Sequence, residues 1–380
     1  MTLRKVESLY SEREMRQYLQ HIRFPGFAEV STDDKDEDRE RPTLPRPTLA
    51  TLTLLQQHHL LTIPFENTSI HYESSHSVSI NPNVVLQRFC SRRMGGYCMQ
   101  HNVCLLNILR YLGYKCYAVA GRVLERALDG TQGDYEGFGH MIILVLLPNH
   151  LHEAQQAQEH LYAVDVGYGA QGPLRPLQLS DGHVEEGRFG ERHRLIRLLP
   201  PESAFEDNPG TPQSPVLLQE MREANKLWHL QHAKGEADWQ TQYSFLQTET
   251  FPNDFEKLNF ATSKSPQSIF VSTLMLSQFT LNLVAQENEF KHASPEPIHA
   301  DLHPYPSHAF GLHALLGARF SHRPAGGGKT EHEEAATEEK RIERIRQVFG
   351  LLGDVETGYA LDAIEASKAG LPQQRRVPKE

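Results

Sequence analysis

Cys98 has the setting that speaks most directly of chemistry. It ends the turn Arg93-Met94-Gly95-Gly96-Tyr97-Cys98 and precedes Met99-Gln100-His101-Asn102 and an apolar stretch over 103–109. Two adjacent glycines let a backbone turn tightly and approach a neighbour closely. The apolar stretch predicts a helix that begins near Cys98 and stops at Gly113. The first N–H groups of a helix are unpaired and its N-terminal end is electropositive, so a thiol there yields its proton more readily. This reads as a nucleophile at a helix start. A buried structural cysteine fits the local pattern equally, since cysteines are mostly interior residues. Cys104 and Cys116, in apolar surroundings without a preceding glycine turn, suit that structural role better.

Two further residues supply partners for such a thiol. Gly137-Phe138-Gly139-His140 leads into the apolar run 141–147, ended by Pro148: a buried strand with a histidine at its mouth. Residues 161–169 form a second strand that carries Asp165 among apolar neighbours and closes on Gly167 and Gly169. A carboxylate is costly to bury alone. Either this strand lies at an edge and Asp165 is solvated, or Asp165 faces a cation or N–H donor. A cysteine–histidine pair needs a third group to hold the imidazole tautomer, and a buried carboxylate provides one. Cys98, His140 and Asp165 are therefore a candidate triad.

At these residues the chain resembles the arylamine N-acetyltransferases. That family carries an Arg-Gly-Gly-x-Cys loop, a strand opened by His and a Val-Asp-x-Gly strand, in this order. The resemblance extends to Ile63-Pro64-Phe65-Glu66-Asn67 upstream, to residues 253–266, and to a last stretch from Glu338 through Gly350 and Glu356. Gln100 and Asn102 match positions just after the nucleophile. One position departs: Met94 stands where the family usually has Arg, four residues before the cysteine. Glu66 is then expected either to pair with Arg92 or Arg93 through a shift in the loop, or to be satisfied differently.

The resemblance implies an α+β fold of three parts with a cysteine-protease-like catalytic core. A helical bundle over 1–113 would bear Cys98. A β-barrel with its linker over 114–248 would bear His140 and Asp165, and an α/β lid with a C-terminal helix would occupy 249–380. It also implies transfer of an acyl group, acetyl or malonyl, from acyl-CoA to the nitrogen of a small aromatic amine through an acyl-cysteine. Acyl-CoA would be a cosubstrate, with no tightly bound cofactor and no metal. Tyr168 falls where the family often lines its acceptor pocket, although an aromatic plug in a β core suits it as well. Phe138, beside His140, is the other candidate for that pocket.

Composition narrows the alternatives. The chain has 380 residues, 39% of them hydrophobic and 23% charged, with a net charge of −10 and no long basic block. Nucleic acid is thus not an expected partner, because binding it needs clustered Lys and Arg. The longest apolar run is far short of the roughly 20 residues a membrane span needs. The N-terminus has no apolar signal region, and four cysteines without a Cys-x-x-Cys pair read as reduced thiols, so a cytoplasmic location is expected. Most of the 21 histidines, including His58, His59, His150 and His152, are expected at the surface.

Helical spacing is present over 9–24 and 48–62. Between them, the charged and proline-bearing stretch 31–46 reads as a surface insertion without a core. Residues 114–199 read as short strands, 200–214 as a polar linker, and 323–338 as a solvated loop. A last helix is expected over 336–351, ending at Gly353. Two other functions share the candidate triad. One is a cysteine hydrolase or transglutaminase-like enzyme, the other an inactive interaction protein on the same scaffold.

Overall fold

The computed structural model describes residues 3–27, 42–126, 132–148, 159–206, 216–282, 304–365 and 367–371. Its first helix, α1 (Glu12–His21), starts at Ser11. The Ser11 hydroxyl accepts from Glu14 N, and the Glu14 carboxylate accepts from Ser11 N, so this capping box trims the helix expected over 9–24. Helix α2 (Leu49–Thr62) starts at the Thr48 cap. It is buried almost all round, and Gln56, Gln57, His58 and His59 lie inside with its leucines. This corrects the expectation that His58 and His59 are surface residues: α2 runs through the centre of the helical layer and has no solvent face for them. His150 and His152 lie outside the described residues. A short strand β1 (Phe65–Glu66), a helical turn α3 (Thr68–His71) and α4 (Pro82–Cys90) follow. Helix α5 (Cys98–Leu112) ends at Gly113, whose φ of +94° is the left-handed conformation that glycine supplies at a helix stop.

The chain then forms strands β2 (Lys115–Arg126), β3 (Gln132–Pro148), β4 (Glu159–Val164), β5 (Leu177–Gln178), β6 (Val184–Glu186) and β7 (Glu191–Leu198). A helix α6 (Val216–Asn225) precedes β8 (Leu227–Lys234) and β9 (Gln240–Phe245). All pair antiparallel in one sheet ordered β5-β4-β3-β2-β9-β8-β7-β6. The link 179–183 carries the chain from edge strand β5 to edge strand β6 and so brings the two edges near each other in a nearly closed barrel; within it, Gly182 N donates to Leu195 O of β7 at 2.8 Å. Inside are Ile142, Leu144, Leu195, Leu230, Tyr243 and Phe245. The intervening β3 residues Met141, Ile143 and Val145 face the helical layer and share its core. Burial on both faces is why β3 reads as an unbroken apolar run rather than an alternating one.

Helices α7 (Pro252–Lys264) and α8 (Ile269–Ser272) lead into β10 (Met275–Leu281), β11 (Phe310–Leu316), β12 (Arg319–Arg323) and β13 (Glu331–Glu334). Helices α9 (Glu338–Phe349) and α10 (Thr357–Glu365) complete the described chain. The second sheet is ordered β1-β10-β11-β12-β13, so the Phe65–Glu66 strand of the N-terminal region is its edge. Ile342, Ile345 and Phe349 of α9 pack with Leu274, Leu315 and Phe320 of this layer, and with Met94.

Two expectations are corrected here. The stretch 323–338 is not wholly a loop, because Glu331–Glu334 pairs with β12. Its exposed charges hid it from a hydrophobic-pattern reading, yet they suit an edge strand, where charge discourages further pairing. The last long helix stops at Gly350, with φ +66°, rather than at Gly353. Of the expected insertion 31–46, residues 31–41 lie outside the described residues; at its end, Arg16 Nη1 donates to Pro42 O at 2.8 Å. Of the expected linker, 207–214 also lie outside them. No helix among the described residues is long and apolar enough to cross a membrane.

Candidate active site

The double-glycine turn is held from below by β1. Glu66 N donates to Gly96 O at 2.8 Å and Gly96 N to Pro64 O at 3.3 Å. A Cβ at Gly95 would stand 1.9 Å from Pro64 O, so only glycine permits this approach. The departure at Met94 is resolved by another arginine. Arg88 of α4, not Arg92 or Arg93, reaches Glu66: its Nη2 lies 2.7 Å from Glu66 Oε1, and its Nε donates to Gly95 O at 2.7 Å. Both side chains are buried. Burial alone would raise the Glu66 carboxyl, but the Arg88 charge and the Thr68 N–H hold it below the ordinary carboxylate range. Arg92 instead pairs with Asp354 at 2.7 Å and Glu73 at 3.2 Å. Met94 turns into the apolar layer under α9, where its sulfur lies 3.5 Å from Leu352 N.

A buried chain of rings supports the same turn. His101 Nε2 lies 3.1 Å from Pro64 O, which can only accept, so this nitrogen carries the proton. His101 Nδ1 then accepts from His59 Nε2 at 2.7 Å, and His59 Nδ1 accepts from the Tyr18 hydroxyl at 2.7 Å. Burial lowers both histidines, His101 to about 4, so both are neutral at pH 7. These histidines fix backbone.

Tyr97 is the extended cap residue, and its N–H donates to Gln100 Oε1 at 3.2 Å. Its hydroxyl bonds to Asn259 of α7. Cys98 is thus the first residue of α5, buried, with its thiol 3.5 Å from Gly139 O. Packing of α5 on β3 brings it against His140, whose imidazole interacts with the Cys98 thiol. His140 Nε2 lies 2.7 Å from Asp165 Oδ2, which leaves Nδ1 for the sulfur.

Asp165 is buried and surrounded by donors. Its Oδ1 accepts from Asn102 Nδ2 at 2.9 Å and from Gly167 N at 2.8 Å, and the buried Tyr243 hydroxyl faces the same carboxylate. Of the two settings open from sequence, the protein has the second. Burial would raise the Asp165 pKa, but His140 and these donors hold it below the ordinary value. Burial would lower His140, yet the charge and hydrogen bond of Asp165, with a further contribution from Cys98, raise it to about 10. His140 therefore carries a proton at neutral pH. Gly167 passes so close to the nucleophile turn that a Cβ on it would meet Cys98 Cα at 2.5 Å.

Cys98 and His140 open onto a cavity of about 710 Å³, in the range of small-molecule sites. Phe138 and Tyr168 both line it. Tyr168 also packs edge-on to His140 and to Tyr243, with centroids at 5.5 and 4.8 Å. Sequence reading missed Arg88 and Tyr243, and assigned no contact to Asn102. Arg88 looked like an ordinary helix cation and Tyr243 an ordinary strand aromatic. The motif match at Asn102 was the one available signal. Among the described residues, no group of three His, Cys, Asp or Glu side chains is placed to hold a metal ion.

Comparison with known proteins agrees with this architecture. Residues 48–199 and 189–296 match the family model described as N-acetyltransferase. The N-malonyltransferase FDB2 of Gibberella moniliformis is 25% identical, over 97% of this chain and 94% of its own. An arylamine N-acetyltransferase of Mycolicibacterium smegmatis is 28% identical over 62% of this chain and 72% of its own. In fold, the Mycobacterium marinum arylamine N-acetyltransferase, solved in complex with CoA, superposes with a TM-score of 0.62 at 22% identity, covering 94% of this chain and all of that one. The chain belongs to the arylamine N-acetyltransferase family of N-acyltransferases.

Proposed function

We propose that this protein transfers an acyl group from acyl-CoA to the nitrogen of an aromatic amine, with Cys98 carrying the acyl group between the two. The observation behind this reading is the Cys98–His140–Asp165 contact at the floor of the cavity. In the first half-reaction the Cys98 sulfur, its proton resting on His140 Nδ1, attacks the thioester carbonyl. The bond from the acyl carbon to the CoA sulfur breaks, and the departing thiolate takes the proton from His140. In the second, the amine nitrogen attacks acyl-Cys98 and gives a proton to His140 as the Cys98–acyl bond breaks. Asp165 keeps Nε2 protonated and stabilises the imidazolium throughout. Backbone N–H groups at the start of α5 would donate to the tetrahedral oxyanion.

Phe138 and Tyr168 would bound the acceptor in this scheme. Two acyl donors are named among the relatives, acetyl and malonyl, so both belong in the test. Protein mixed with acetyl-CoA or malonyl-CoA alone should show one acyl adduct by intact mass. The adduct should discharge on adding an arylamine and be absent in Cys98→Ala. No adduct with either donor, together with cleavage of amides, would instead favour the cysteine-hydrolase reading.

A further inference from the structure

The loop that leaves Asp165 forms one wall of the cavity and is held from outside it. Tyr168, Gly169, Ala170 and Gln171 all line the cavity, and Gly169–Gln171 is a single turn of 3-10 helix. The carbonyls of this loop are taken up one after another. Gly169 O accepts from Gly172 N at 3.1 Å and Ala170 O from Arg188 Nη2 at 2.7 Å. Gln171 O accepts from His193 Nε2 at 3.0 Å and Pro173 O from Gln56 Nε2 at 2.8 Å. The turn also lies tight against β1 and β10. A Cβ on Gly169, whose φ is +75°, would meet Phe65 Cδ1 at 3.2 Å and Ser277 Oγ at 3.3 Å.

Arg188 is the donor in this set that folding alone explains least. It is 2% exposed, yet its Nη1 has no hydrogen-bond partner among the described residues. A buried guanidinium left partly unpaired costs free energy. The next residue, Phe189, has a φ of +50°, a left-handed conformation uncommon outside glycine and one that needs support from its surroundings. That support comes from both sheets. The Arg188 and Arg323 guanidiniums each lie 5.8 Å from the Phe189 ring centre, and Arg188 lies 5.0 Å from that of Phe279 in β10. Buried Glu191 meets both cations: Oε2 is 3.4 Å from Arg188 Nε, and Oε1 is 3.4 Å from Arg323 Nη1 of β12. One planar fork therefore joins the cavity wall, β7 and the second sheet, a reach that a single ammonium does not have.

We infer that Arg188 is a positioning residue for acyl transfer: its hold on the Ala170 carbonyl sets where the wall 168–171 stands relative to His140. Arg188 is not among the residues that line the cavity, so it acts through the wall. The Tyr168 ring at the start of that wall packs 5.5 Å from the His140 ring. Asp165 keeps its own bonds to Asn102, Gly167 and His140 whether or not Ala170 is held. A wall that drifts thus changes the space left for substrate while the triad stays assembled, and a supporting shell of this kind is what keeps a site from being too loose. The role in transfer rests on the Cys98 chemistry proposed above.

Two variants test it. Arg188→Lys keeps a charge beside Glu191 but loses the fork. Arg188→Met/Glu191→Gln removes the cation and the carboxylate together, which spares the fold an unpaired buried charge. In both, hydrogen exchange should rise in the peptide covering 168–173 and stay unchanged in peptides of α5 and β3. KM for an arylamine should rise by about tenfold or more, within the range that misplacing a bound substrate can cost. The rate and pH profile of Cys98 alkylation by iodoacetamide should match the wild type. Faster exchange throughout, with kcat and thiol reactivity lost together, would make Arg188 a folding residue and overturn the inference. Wild-type exchange and KM in both variants would also overturn it. Acylation of wild-type Cys98 by acetyl-CoA alone is measured in parallel. If no adduct forms, the proposed function is lost and this role with it; if one forms, unmoved exchange and KM count against Arg188 alone.

Discussion

Arg88 Nη2 lies 2.7 Å from Glu66 Oε1, so the guanidinium that holds the nucleophile turn comes from ten residues before Cys98, on a different helix. Met94, at the position nearer the cysteine, is freed to become apolar core between the turn and α9. In this chain the cation that holds the turn is Arg88, while Met94 serves the packing of the neighbouring apolar layer.

Breaking this pair should be severe. Arg88→Met leaves a buried Glu66 without its cation, a loss of roughly 3–5 kcal/mol. Denaturant melts of Arg88→Met, Glu66→Gln and the double variant should show strong coupling, with the double costing less than the sum. Met94→Arg should not rescue Arg88→Met fully, because Leu352 and its neighbours now occupy the space around residue 94. Additive single and double effects would mean the pair is not energetically coupled.

Cys98 should be the thiol that alkylates first. Burial pushes the Cys104 and Cys116 thiols up to about 12 and raises Cys90 as well, which leaves little reactive thiolate at any of them. Peptide mapping after brief iodoacetamide treatment should place label on Cys98 in step with lost transferase activity. Inactivation that tracks label on Cys90 would reverse the assignment.

Stability should depend on pH through His140. Folding raises its pKa from the ordinary 6.5 to about 10, so the stability it adds is complete below pH 6.5 and is lost as the pH rises toward 10. Asp165 acts at the other end: its pKa is lowered, so its contribution is lost as the pH falls through the carboxylate range. Asp165→Asn should flatten the alkaline decline in melting temperature, and should slow acyl-enzyme formation by roughly 10³- to 10⁴-fold. An unchanged alkaline slope in folded Asp165→Asn protein would show that another group produces it.

Tyr243→Phe removes a hydroxyl from Asp165 while keeping the ring against His140, whose centroid is 4.8 Å away. A hydrogen bond to a charged group contributes roughly 1.5–3 kcal/mol, so the variant should lose up to that much stability and turn over more slowly. Wild-type turnover in this variant would reduce Tyr243 to a packing residue.

Gly167→Ala should be worse for activity than its size suggests. The added methyl would sit 2.5 Å from Cys98 Cα, so either β4's following turn or the start of α5 must move. Loss of acyl-enzyme formation with a lower melting temperature is expected; a fully active variant would show that the turn yields freely.

Local chemistry in the chain was enough to mark Cys98, His140 and Asp165. A glycine pair before a helical run, a histidine at a strand mouth and a lone carboxylate among apolar residues are each signals written within a few positions. The stop at Gly113 was legible for the same reason. What surrounds those residues was decided only when distant segments met. Asn102 reaches Asp165 across 63 residues, and Tyr243 comes to the same carboxylate from β9. His58 and His59 became buried because α2 lies inside the helical layer, a property of packing rather than of their polar neighbours in sequence. Glu331–Glu334 became a strand because β12 offered it an edge. Hydrogen-bond partners and burial depend on where the whole chain places its surfaces, and hydrophobic spacing along one segment does not contain that information.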